Sequence, residues 1–347
     1  QKVAERLQGV FEGERRKMHD GVARVVEGEG GKIDQRDGKY GAELKFGDLS
    51  EYFGGLVEKI GLPDPDLMRG MEREHCEKED AGHEFKPGNY DITTTPRAEW
   101  KAVTDPQEGQ RVSVGPRRVK AVSSLVEVTE ARNAGLTEAE MTALVLYTGP
   151  MFRKYNAVLR QFPEDDVKNL GGNIYATTIH CIVSGVIKLS KDMALPEGRN
   201  VYRGLAGDKD LPRKFKTADD HGVRGGVEYG LMSTTLDKKV ALQYAGSGSD
   251  GNLPTIFEIG LSAVSRGASL GFLSQFEREA EILLPPLSFL EVVGDTRIEV
   301  GEDGKQVRLV PLAASANVTG STIEDIVGKR KQLHVFQMEN AVHEIRR

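Results

Sequence analysis

Phe276-Glu277-Arg278-Glu279-Ala280-Glu281-Ile282-Leu283-Leu284-Pro285-Pro286 opens in charge and closes as a short apolar run stopped by two prolines. The aliphatic part reads as a β-strand, because prolines cannot donate to a ladder and so mark its end. Glu279 and Glu281 enter that strand two positions apart, and alternate side chains of a strand share a face. Two carboxylates are therefore expected side by side, about 7 Å apart at roughly 3.3 Å per residue. Like charges against a buried strand are unfavourable unless the molecule uses them. An acidic pair at the mouth of a strand is also a common solvated feature, so its meaning rests on what surrounds it.

Working outward, the chain from residue 200 has the texture of strands and tight turns. Residues 201–205 predict a strand carrying Arg203, and 231–236 a second carrying Ser233, Thr234 and Thr235. A helix is expected over 237–244, with Val240, Ala241 and Tyr244 on one side. Residues 254–261 and 287–293 predict two further strands. The half before residue 200 reads as helical. Val3, Leu7, Val10, Phe11, Met18, Val22 and Val25 recur at helical spacing over 1–30, and a glycine-rich connector follows at 27–32. Thr137 and Glu140 form a capping box ahead of a helix over 141–147. Ile179, Ile182, Val183, Val186 and Ile187 make one stripe of a helix over 175–189. Helices first and strands after imply an α+β fold.

The Pro- and Gly-rich stretch 105–118 is taken as a domain boundary. The expected division is a mostly helical and irregular accessory region, 1–118, a catalytic domain, 119–297, and a C-terminal extension, 298–347. Residues 321–324 offer a second capping box for a final helix. Trp100, the only tryptophan, is expected as a core anchor. His75, Cys76 and His83 fit no zinc spacing and read as ordinary surface residues of a helix.

Composition narrows the function classes. The 347 residues are 29% charged and 38% hydrophobic, as in globular chains. A net charge of -6 disfavours nucleic-acid binding through bulk charge. No stretch approaches the roughly 20 apolar residues of a membrane span. Two cysteines and no apolar leader predict a reducing, cytoplasmic setting. The oligomeric state is not readable.

Arg203, then Ser233-Thr234-Thr235, then Glu279-x-Glu281 stand in order on predicted strands. In this the chain resembles the arginine-specific mono-ADP-ribosyltransferases of the R-S-E class, which include cholera-toxin-like enzymes and vertebrate ecto-enzymes. Residues 201–204 match the arginine motif. Residues 232–235 with 241–245 match the serine motif, and 279–286 match the glutamate motif. The helical lead-in, Tyr147-Thr148 through Tyr155-Asn156 and Leu159-Arg160, is similar as well. The likeness spans roughly 120–295. One departure is the glycine-rich loop 246–252 behind the serine motif.

The resemblance implies a helical half followed by a split β-sandwich around an NAD cleft. It also implies transfer of ADP-ribose from NAD to an arginine of a protein, with no metal. Glu281 would stabilise positive charge developing on the ribose, and Ser233 would orient it. Arg203 would hold the diphosphate. Gly204 would let the backbone approach the nicotinamide amide, and Thr234 and Thr235 would support the pocket. Glu279 would bind the acceptor guanidinium, with Phe276 recognising the acceptor. Tyr244 would pack the nicotinamide side or the core, and the core is the expectation. An NAD glycohydrolase on the same fold, or a catalytically silent NAD-binding module, are the alternatives.

Overall fold

A computed structural model describes residues 46–47, 55–86, 92–192, 200–205, 211–219, 222–245, 253–262, 265–300, 306–316 and 321–345. The helix expected over 1–30, the connector at 27–32 and the loop 246–252 lie outside the described residues.

The helical half builds one lobe. Its main helices are α1 (Leu67–Cys76), α2 (Pro96–Thr104), α3 (Pro106–Val112), α4 (Glu138–Leu146), α5 (Phe152–Arg160) and α6 (Ala176–Asp192). The capping box opens α4 as expected: Thr137 Oγ1 accepts from Glu140 N, and the Glu140 carboxylate accepts from Thr137 N at 2.8 Å. Met71, Trp100, Leu144, Tyr155, Ile179 and Ile182 meet in the lobe's core. Trp100 is the anchor it was expected to be. It stacks on His75, with ring centroids 5.4 Å apart.

His75 overturns an expectation. It is fully buried and not a surface residue. Its Nδ1 lies 2.7 Å from the Met71 carbonyl and its Nε2 2.8 Å from the Tyr155 hydroxyl. Burial holds its pKa down at about 4, so it stays neutral. Cys76 is half-buried and His83 exposed. Among the described residues no group of three or more His, Cys, Asp or Glu side chains could hold a metal ion.

Ten strands among the described residues form one mixed sheet. They are β1 (Phe46–Gly47), β2 (Asn200–Leu205), β3 (Gly225–Glu228), β4 (Met232–Thr235), β5 (Thr255–Gly260), β6 (Ala268–Ser269), β7 (Glu281–Leu284), β8 (Ser288–Val292), β9 (Arg297–Val300) and β10 (Gln306–Ser315). Their order is β1-β3-β8-β10-β5-β2-β4-β7-β6, with β9 added on β10. Among the described residues only β10 and β5 pair in parallel. The strands predicted around residues 203, 233, 257, 283 and 290 are all present, and so is the helix α7 (Lys238–Ala245).

The boundaries expected at 118 and 297 coincide with no gap in packing. Trp100 and Val103 lie in the same core as Tyr155 and Ile179, as do Ile60 and Met71, so the described helices before 118 belong to the helical lobe. β10, beyond 297, is a central strand rather than part of an extension. Pro311 hid it, since a central strand normally excludes proline. Here β9 pairs with residues 306–309 and β8 with 312–315, and Pro311 sits where the partner changes.

The final helix, α8 (Ile323–Ile345), starts against α6: Ile323 N donates to Ser184 Oγ at 3.1 Å, and Lys188 reaches Glu324 at 2.7 Å. Its cap falls one residue later than expected. Thr322 and Asp325 exchange the reciprocal hydrogen bonds, and Glu324 serves Lys188 instead. No helix of the described residues is long and apolar enough to cross a membrane.

Candidate active site

Three neighbouring strands, β2, β4 and β7, make the floor of a cleft between the sheet and α7. The register sets Thr235 opposite Glu281 and Ser233 opposite Leu283. Ser233 is thus the diagonal neighbour of Glu281 on one face, and the two side chains are hydrogen-bonded. Arg203, from β2, lines the same cleft and donates from Nη1 to the Ser233 carbonyl at 2.8 Å. The three residues singled out by the sequence are brought together.

Glu279 is not on the strand. It ends a single 3-10 turn, Glu277–Glu279, and Ala280 follows in the left-handed region at φ 44. That conformation costs an alanine on the order of 1 kcal/mol. The end of β4 holds it in place: Thr235 Oγ1 donates to the Glu279 carbonyl at 2.6 Å. The two carboxylates therefore do not share a strand face. Glu281 is sunk into the sheet at 5% exposure, and Glu279 stands half-buried on the turn above.

Their electrostatics follow from this placement. Burial pushes the Glu281 carboxyl up to about 7, the Ser233 hydroxyl and the Arg203 charge oppose the rise, and Glu279 adds to it. Burial also raises Glu279, and the Tyr244 hydroxyl partly offsets this by donating to Oε1 at 2.5 Å. Tyr244 is therefore not a core residue. It is half-buried on α7, lines the cleft and holds Glu279. Gly204 lines the cleft too, yet its lack of a side chain is explained by packing. A Cβ there would lie 2.0 Å from the Ala241 carbonyl oxygen of α7. Thr234 turns to the sheet, donating to the Ile282 carbonyl at 2.7 Å. Phe276 is buried at 7% exposure and lines a second cleft beside the first.

Sequence reasoning left several cleft residues out of its site. Tyr147, Thr148, Asn156 and Arg160 line it from the helical lobe. Asn156 Oδ1 accepts from Leu231 N at 2.8 Å, and Arg160 pairs in the interior with Glu228 at 2.8 Å. Glu228 in turn accepts from Gly230 N. These bonds fix the turn that leads into β4. The burial of Tyr147 raises its hydroxyl's pKa, and the charge of Glu281 adds to this. The available signal was Asn156 and Arg160, four apart and so on one face of the helix Phe152–Arg160, where buried polar groups must find partners.

A family profile described as NAD:arginine ADP-ribosyltransferase matches residues 93–313. Rabbit (Oryctolagus cuniculus) GPI-linked NAD(P)(+)--arginine ADP-ribosyltransferase 1 is 26% identical over 210 residues, 60% of this chain and 58% of that protein. Mouse (Mus musculus) T-cell ecto-ADP-ribosyltransferase 2 is 29% identical over 153 residues, 44% of this chain and 45% of that protein. The chain thus spans about half the length of these curated relatives. The solved structure of the eucaryotic mono-ADP-ribosyltransferase ART2.2 is 17% identical, with 79% of this chain and 93% of that chain covered and a TM-score of 0.44.

The relatives correct one expectation. One is named GPI-linked and the other an ecto-enzyme, which overturns the cytoplasmic setting. A count of two cysteines reports only that no disulfide framework is encoded. Cys76 and Cys181 are free thiols in the fold, and they do not report on which side of a membrane it works. With the profile covering well over half of the residues, and its span containing the Arg203–Ser233–Glu281 cleft, the chain belongs to the NAD:arginine ADP-ribosyltransferase family.

Proposed function

We propose that this protein moves ADP-ribose from NAD to arginine side chains of proteins and releases nicotinamide. The observation that carries the reading is the pair of environments around two carboxyls: Glu281 sunk beside Ser233 and Arg203, and Glu279 on the turn above it. NAD brings a ribose bonded to a cationic nicotinamide, and breaking that bond builds positive charge on the ribose. Glu281, as the carboxylate, stabilises that charge, and Ser233 holds its orientation. Arg203 supplies a guanidinium for the diphosphate. Glu279 meets the acceptor guanidinium, and Tyr244, donating to its carboxylate, orients it at the rim of the cleft. Thr234 and Thr235 keep the strand end and the turn in register, and Gly204 keeps α7 close to β2. Phe276 backs the acceptor side.

No metal enters this reading. The relatives' names support a cell-surface or extracellular setting for the chain. We read residues 1–118 as accessory in a restricted sense: the helices among the described part buttress the helical lobe, and β1 adds to the sheet edge.

The test is nicotinamide release from NAD with and without agmatine, an arginine mimic, for the wild type and Glu281→Ala. Formation of ADP-ribosyl-agmatine by the wild type, with a dead variant, supports the reading. Release indifferent to agmatine replaces it with a glycohydrolase. Because Glu281 must be ionised and its carboxyl sits at about 7, kcat/KM for NAD should rise with pH through that value.

A further inference from the structure

The second cleft shares Val240, Tyr244 and Glu279 with the first. One wall is the turn 276–279. The other is the stretch 115–118, from far earlier in the chain. The two walls are joined by a buried polar cluster. Arg117 is 3% exposed; its Nη2 donates to Glu99 Oε2 at 2.5 Å and its Nε to Gln275 Oε1 at 2.7 Å. Gln275 is wholly buried, and its Nε2 donates to the Val145 carbonyl at 2.8 Å. Its own carbonyl accepts from Arg118 N at 2.8 Å. Lys120 adds two ties to the same loop, donating to the Phe272 carbonyl at 2.8 Å and pairing with Glu277 at 3.0 Å. A buried ion pair is expensive to desolvate and costly to break. This one holds the wall that carries Glu279 at a fixed distance from the wall opposite.

The rim of this cleft is charged, and Arg118 Nη1 is steadied there by the carbonyls of Gly115 at 2.6 Å and Arg117 at 2.8 Å. Arg118 and Arg278 are exposed, one on each wall, while Glu277 is engaged by Lys120. Glu279 is left as the carboxylate at the shared edge of the two clefts. Building on the transferase reading above, we infer that this cleft selects acceptor polypeptides whose target arginine lies next to acidic residues. The arginine engages Glu279, and the neighbouring carboxylates engage Arg118 and Arg278. A planar guanidinium suits a carboxylate, and a lysine in the same place would meet like charge.

The experiment compares kcat/KM for three peptides of equal length, with one arginine flanked by Glu, by Gly or by Lys. Agmatine, which has no flanks, serves as the reference acceptor. Wild type, R118E/R278E and R118A/R278A are measured at low and moderate salt. The wild type should favour the Glu-flanked over the Lys-flanked peptide by about tenfold at low salt, and less as salt rises. The double charge reversal should invert the order, and the double alanine variant should level it. Equal use of the three peptides by the wild type, preference for the Lys flanks, or a preference that survives both variants would overturn the inference. If NAD is hydrolysed but agmatine and every peptide stay unmodified, the transferase reading fails, and this inference with it. That outcome differs from a loss of selectivity among acceptors that are all modified.

Discussion

Glu74 in the helical lobe and Glu281 in the cleft are both buried carboxyls, and burial raises the pKa of each. Their partners differ. Glu74 caps the start of α6, accepting from Thr177 N at 2.7 Å, Thr178 N at 3.1 Å and Thr178 Oγ1 at 2.6 Å. Asp80 nearby is met by the Tyr175 hydroxyl at 2.7 Å and Asn173 Nδ2 at 2.9 Å. Glu281 has the Ser233 hydroxyl and the charge of Arg203 to offset its desolvation. The lobe saturates its acids, so they are structural. Among the described residues the cleft gives Glu281 fewer donors than the lobe gives Glu74, so capacity remains for a cationic ligand. Burial alone does not separate the two roles; the count of donors does.

The strongest way to break this comparison is Glu281→Gln. Nicotinamide release should fall by about a thousandfold or more. Its stability should move the opposite way. The folded carboxyl is raised from 4.5 to about 7, so its stabilising share is complete below the lower value and lost as pH rises through the upper one. Above pH 7 its ionisation costs on the order of 3 kcal/mol. The variant should melt several degrees above the wild type at pH 8 and level with it near pH 4.5. A gap that does not change with pH would sink the argument.

Glu74→Ala should do the reverse, losing about 3 kcal/mol in urea unfolding because two helix-end N–H groups are left without a partner. Nicotinamide release per folded molecule should hold. Glu279→Gln should lower transfer to agmatine by about a hundredfold and NAD cleavage far less. Tyr244→Phe is the finest probe. It removes the hydroxyl that opposes the burial of Glu279, so the acid limb of the transfer pH profile should move to higher pH. The rate at neutral pH should fall by less than about tenfold.

Much of the sheet and the floor of the cleft was legible in the sequence. β2, β4, α7 and β7 are short segments whose periodicity switches between two and 3.6 at turn residues, and their order carried Arg203, Ser233 and Glu281. What was not legible depended on contacts distant in sequence or on single dihedrals. Nothing in an alanine announces a left-handed conformation, so Ala280 concealed that Glu279 leaves the strand. Arg117 sits in a polar, Pro- and Gly-rich run that reads as a linker, yet its partners are Glu99 and Gln275, 18 and 158 positions away. Arg160 and Glu228 pair across 68 positions. β3 begins with two glycines, and β10 has a proline inside. His75 read as a surface residue because only the folded lobe supplies Tyr155 and Trp100 around it.

The place of β10 has a consequence for synthesis. It is the last strand in sequence among the described residues and pairs on one side with β5 and on the other with β8. Without residues 306–315 the strand order divides into two part-sheets, β1-β3-β8 and β5-β2-β4-β7-β6. The second already holds Arg203, Ser233 and Glu281, but its β5 edge is bare and open to pairing with other chains. A product cut short before residue 306 would carry the complete triad on an unclosed sheet, so closure of the sheet rests on a strand that does not line the cleft.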